Sequence, residues 1–233
     1  MNSKRILNFL KDVAANNNRP WFQEHKAEYD AIRADFEDGV GKAIARFSAF
    51  DHEIAHLTVK DCVYRFYRDT RFSPDKSPYK RHLGAYICAK GKKALRGGYY
   101  IHLEPGNCLL ATGSYWLPTN ILTSCRNEIM ANEERWLSIV ESRPFVRLFG
   151  KPGCGQWEQS ERGFGLEMLK TCPGGFPRDY AHIEYLRMKD YCCWRQVPDT
   201  FFDGDDWLDE AAKIVKVAKP MMDFMNAVID DYE

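Results

Sequence analysis

Through the first fifty residues apolar side chains recur every three or four positions. Over the next sixty they gather instead into short runs rich in aromatic and branched residues. The first pattern predicts helices. Ile6, Phe9, Leu10 and Val13 mark one, with Ser3 as its N-cap and Asn16-Asn17-Asn18 as its end. Pro20 suits the first turn of a second, whose stripe runs through Tyr29, Ile32, Phe36, Val40, Ala43 and Phe47, with Gly39 and Gly41 weakening its middle. Trp21 and Phe22 are placed to pack on the first helix. The αα-hairpin so formed needs an apolar partner.

The second pattern supplies one. Val59–Asp69, Leu83–Ala89, Gly98–Glu104 and Cys108–Ser114 have strand length and strand composition, and Pro105-Gly106 predicts a tight turn between the last two. Short links imply an antiparallel meander, with residues 90–97 as an exposed loop. Helical spacing returns after Pro118 and again at Arg143-Pro144. Residues 150–177 hold seven of the sixteen glycines and read as irregular, with one helical turn at Leu166–Leu169. Arg178–Leu186 reads as helix and Met188–Val197 as a strand returning to the sheet. Asp205 and Asp206 open a C-terminal helix with the stripe Trp207, Ala211, Ile214, Val215 and Ala218, which Pro220 kinks or restarts. The expected fold is α+β: an antiparallel sheet of about five strands packed against an N-terminal helical hairpin and C-terminal helices. It is expected as one domain over 1–233, with helices at 3–48, sheet at 57–115 and a return strand near 188–197.

Composition narrows the functional classes. Lys+Arg and Asp+Glu balance at 33 each, so any polyanion partner must be met by a local patch. No apolar run approaches a membrane span, and charges interrupt the N-terminus too early for a signal peptide, which together predict a cytoplasmic protein with no membrane partner. The eight cysteines include no Cys-x-x-Cys pair and read as small apolar residues rather than as disulfides or zinc ligands. No phosphate-binding glycine loop, dinucleotide fingerprint, zinc-binding His pair or nucleophile elbow occurs.

The densest chemistry lies in residues 65–82, where six of eighteen residues are Lys or Arg and two are Asp. Its core, Arg65-x-x-Arg68-Asp69-Thr70-Arg71-Phe72-Ser73-Pro74-Asp75-Lys76-Ser77-Pro78-Tyr79-Lys80, resembles the signature of the DUF2461 family of conserved proteins. The resemblance extends from Phe9-Leu10 and Asn16–Phe22 through Gly98–Pro105 to Leu169-Lys170, Pro173, Gly175-Phe176 and Lys219-Pro220. Pro20 departs from it, where the pattern has a residue such as Glu. The resemblance implies membership and transfers no catalytic residue.

Strand alternation puts Arg65 and Tyr67 on one face, together with Tyr100, His102 and Glu104 and with Tyr86 and Ser114 close by. Arg65, Arg68, Arg71, Lys76 and Lys80 are the candidate ligand-binding cations, since guanidinium and ammonium groups suit phosphate or carboxylate. His102 and Glu104 fit a general base and its partner, and Asp69 fits an orienting carboxylate. The same Arg–Asp pairs equally fit a structural clasp. Three functions follow: binding of a small anionic ligand, with or without catalysis; nucleic-acid binding through basic loops 71–81 and 90–96; or a scaffold without chemistry. No cofactor is indicated and no metal-ligand set is assigned.

Overall fold

The computed structural model describes residues 1–157 and 159–232. Among these, nine α-helices accompany a five-stranded antiparallel sheet of order β1-β2-β3-β5-β4. The strands are β1 (Leu83–Ile87), β2 (Gly98–Leu103), β3 (Leu109–Ser114), β4 (Arg162–Phe164) and β5 (Tyr191–Gln196). The α+β architecture is as expected. Two compact units divide the residues: 1–92 with 100–109 and 197–212, and 93–99 with 110–196 and 213–233. No helix among the described residues is long and apolar enough to cross a membrane.

In the first unit, α1 (Ser3–Ala15) is capped by Asn2, whose side-chain oxygen accepts from the Arg5 amide, and not by Ser3. Ser3 is instead buried as the first helical residue: its amide donates to Asp203 and its hydroxyl to the Asp199 carbonyl at 2.7 Å. The expected second helix is two, α2 (Arg19–Glu24) and α3 (Lys26–Phe47), broken at His25. Asn18 caps α2 by accepting from the Trp21 amide, and the His25 ring stacks on Trp21 at 4.0 Å. Helix α3 passes through Gly39 and Gly41 unbroken, because Tyr29, Ile32, Phe36, Val40, Ala43 and Phe47 are all buried and outweigh the propensity cost.

The segment Val59–Asp69 is not a strand. It opens as the helical turn α4 (Val59–Cys62), because the Asp61 carboxylate accepts both the amide and the hydroxyl of Thr58 and so forms a capping box. The chain then runs extended and pairs irregularly with 78–85. Val63 lies opposite Ala85 and Tyr67 opposite Tyr79, while Lys80 donates to the Phe66 carbonyl and Arg68 to that of Pro78. The two bridges are two residues out of register with one another, and Pro78 has no amide hydrogen to give, so a continuous ladder does not form.

The second unit is built around Trp136, which meets Tyr185 and Tyr191 edge-on at 5.7 and 5.8 Å and packs on Phe224. Helices α5 (Thr119–Ala131), α6 (Glu133–Val140) and α7 (Arg143–Phe149) follow the expected spacing. The glycine-rich stretch holds a strand that the sequence reading missed: β4, where Gly163 stands opposite Trp194 of β5. Leu166–Leu169 forms no helical turn. Leu166 and Glu167 donate their amides to the Asp190 carboxylate, and Met168 bridges to Met188. Helix α8 spans only Ile183–Arg187, and α9 (Trp207–Ile229) continues through Pro220.

Gly163 is required by the Trp194 ring, which would lie 2.0 Å from an added Cβ. Gly163→Ala is therefore expected to destabilise the protein by about 1–3 kcal/mol. Urea unfolding checks this, and an unchanged midpoint would mean that the ring does not cross this glycine.

Candidate functional site

All the residues singled out in 65–82, together with Tyr100, His102 and Glu104, lie in the first unit. The structure sorts them into two groups. In the loop 69–77 the charges are spent on one another. Arg71 grips the Asp69 carboxylate through Nε and Nη2 at 3.0 and 2.7 Å, and the Arg71 amide also donates to Asp69. Arg68 pairs with Asp75 and donates to Ser73 Oγ, while Asp75 also accepts from the amide and hydroxyl of Ser77. Lys76 donates to the Thr70 carbonyl at 2.9 Å. These bonds hold the Asp69 carboxyl down at about 2, chiefly through Arg71, and hold Asp75 lower still, chiefly through Ser77.

The second group is a hydrogen-bonded row on β2. Tyr100 Oη lies 2.8 Å from His102 Nδ1, and His102 Nε2 lies 3.2 Å from Glu104 Oε2, which also accepts from Asn107 Nδ2 at 3.0 Å. A phenol donates to Nδ1 and a carboxylate accepts from Nε2, so this row selects the Nε2–H tautomer of neutral His102. The bond from His102, reinforced by Asn107, holds the Glu104 carboxyl below its usual range, while burial pushes the Tyr100 phenol up. His102 is buried, and its ring lies 4.5 Å from that of His82. Burial, followed by the neighbouring His102, lowers the His82 pKa to about 4. Gly84 makes room for this row, because an added Cβ there would lie 2.7 Å from Tyr100 Oη.

Of the face expected from strand alternation, Tyr100, His102 and Glu104 are bonded together. Tyr67 is turned onto Phe22 and Tyr79, and Tyr64 takes its place against Tyr100, with ring centroids 6.4 Å apart. Ser114 is buried in the second unit. Lys80 is half-buried with its ammonium 5.3 Å from the Tyr64 ring, and among the described residues no carboxylate pairs with it. Burial and then the charge of exposed Arg65 lower the Lys80 pKa, and Lys80 in turn weighs on His82. Arg65 and Lys80 thus leave a local excess of positive charge beside the Tyr100–His102–Glu104 row.

His82 and Tyr64 were missed by the sequence reading. Pairing β1 with β2 was the available signal for His82, since that neighbourhood brings the residue before β1 toward β2. In a regular strand Tyr64 would face away from Arg65 and Tyr67, and the segment is not a regular strand. In the second unit, a cleft lined by Arg143, Arg147, Lys151 and Arg162 carried no sequence signal at all. The cations of loop 90–96 are partly engaged: Arg96 is buried against Asp230, and Lys92 donates to the Lys60 carbonyl.

The model of the family described as "Conserved hypothetical protein (DUF2461)" matches residues 5–224 of this chain. No curated protein and no solved structure matches it.

The low pKa of Asp69 has a consequence for the loop. A carboxyl whose folded value lies below its ordinary 3.8 contributes stability that is full above that value and is lost as pH falls through about 2. Protection of the amides in residues 69–77, taken relative to their intrinsic exchange, is therefore expected to fall between about pH 4 and pH 2, and Asp69→Asn is expected to show the lowered protection already at neutral pH. Equal protection of the loop in the two proteins at neutral pH would remove the role given to the Asp69–Arg71 pair.

Proposed function

Since the chain belongs to the DUF2461 family of conserved hypothetical proteins, a membership that names no ligand, we propose from the site itself that the protein binds a small anionic ligand at Lys80 and Arg65, beside the Tyr100–His102–Glu104 row. One observation carries this reading: Lys80 is a half-buried cation with a second cation as neighbour and, among the described residues, no counter-ion. Burying a charge without a partner is costly, and a phosphate or carboxylate group supplies the missing negative charge.

The loop cations do not compete for this role. Arg68, Arg71 and Lys76 already have their partners, so they shape the rim and leave Lys80 and Arg65 to meet the ligand. Tyr64 and Tyr100 provide aromatic walls. Both nitrogens of His102 are engaged by Tyr100 and Glu104, which holds the row in place beside the ligand, and the reading covers a binding protein or an enzyme alike.

Inorganic phosphate or citrate at ten times its Kd is expected to stabilise the protein by about 1.4 kcal/mol, which corresponds to about 3–5 °C in Tm for a chain of this size. The shift should vanish in Lys80→Ala and persist in Arg71→Ala. A shift that survives Lys80→Ala but disappears in Arg147→Ala would move the anion to the cleft of the second unit and overturn this reading.

A further inference from the structure

His82, His102 and Glu104 each offer one ligand atom, and these three atoms lie within 4.8 Å of one another. Two imidazoles and one carboxylate are the donor set that borderline divalent ions favour. The closest pair already has the required spacing. Two ligands held at about 2.0–2.1 Å around a tetrahedral ion stand about 3.3 Å apart, and His102 Nε2 lies 3.2 Å from Glu104 Oε2. His82 lies against the same group with its ring 4.5 Å from that of His102, so moderate rotation of one side chain completes the set.

The surroundings match as well. Metal-bound histidines and carboxylates are held by outer partners. Here Tyr100 Oη sits on the far nitrogen of His102, and Asn107 Nδ2 donates to Glu104. We propose that His82, His102 and Glu104 form a binding site for a divalent transition-metal ion of the zinc class. The ion takes the lone pair of His102 Nε2. The proton of Nε2 is lost and Nδ1 gains one, so the ring changes tautomer with no net proton release. The Tyr100 hydroxyl then turns to accept from Nδ1–H. One carboxylate leaves the site with a net charge of +1, and three protein ligands leave a coordination position open. The proposal is independent of the anion reading, although both charges would favour the same class of ligand.

Co2+ titrated into the full chain after chelator treatment is expected to bind at one equivalent with visible ligand-field bands, without a thiolate charge-transfer band, and to be displaced by Zn2+. His82→Ala and Glu104→Gln should each abolish this binding, and Tyr100→Phe should weaken it about 10–100-fold. Lys80→Ala should keep the metal while losing the phosphate-induced Tm shift, so the two proposals fail separately. Should a variant not fold, 15N NMR of the unaltered chain decides the matter, because Zn2+ must convert His102 from the Nε2–H to the Nδ1–H form. No stoichiometric binding, a thiolate band from Cys154 or Cys172, or an unchanged His102 tautomer would each overturn the site.

Discussion

Phe22 of α2 lies nearly flat on Tyr79 at 4.0 Å, and the first unit depends on that contact. Phe66 and Tyr29 close the same cluster, with Phe66 stacked on Phe22 at 5.9 Å and Tyr29 at 4.9 Å from Phe66. Such ring pairs add about 0.5–1.5 kcal/mol each beyond the area they bury. Asn17 fastens the same point to the backbone: its carboxamide donates to the Tyr79 carbonyl and accepts from the Tyr79 amide. The turn between α1 and α2 is therefore a clamp on the segment that carries Lys80 and His82. Successive side chains of extended backbone point opposite ways, so burying Tyr79 against Phe22 sends Lys80 to the other side, over the Tyr64 ring.

That single constraint explains why charges close together in sequence behave so differently. Between residues 69 and 77 the chain leaves its pairing partner, and its charged groups find one another in solvent. Exposed ion pairs of this kind contribute little to global stability. Their effect is to hold one loop shape. Lys80 and His82 lie on the paired side of the same segment, where burial removes solvent from them and no carboxylate among the described residues answers Lys80. The loop is a clasp, and the segment after it carries the proposed anion site. The two uses competing for this stretch belong to different halves of it.

Most of the architecture was legible in the sequence. The helical spacing of residues 6–47, the Pro105-Gly106 hairpin, the helices after Pro118 and the return strand near 191 all appear where periodicity and turn chemistry place them. The errors have local causes. Val59–Asp69 has the composition of a strand, yet Thr58 and Asp61 write a capping box and the pairing with 78–85 changes register. Burial of β4 depends on Trp194 lying across Gly163, a contact between residues thirty-one positions apart that no window of sequence contains. The row Tyr100–His102–Glu104 was visible because alternate residues of one strand share a face. His82 was not, because its place beside His102 depends on how β1 meets β2.

The amino-acid sequence by itself determined the family, the α+β class, the order of most elements and the set of charged and aromatic residues from which a site could be made. Those properties follow from local periods, turn residues and a long signature motif, all of which are written along the chain. Only the tertiary structure decided which of those charges are neutralised by a neighbour and which are not. It spent Arg68, Arg71 and Lys76 on the loop, left Lys80 without a carboxylate partner among the described residues, and brought His82 to His102 and Glu104. The reason is physical. Whether a charge is answered depends on distance and burial, and both are set by which segments pack together, not by their spacing along the chain.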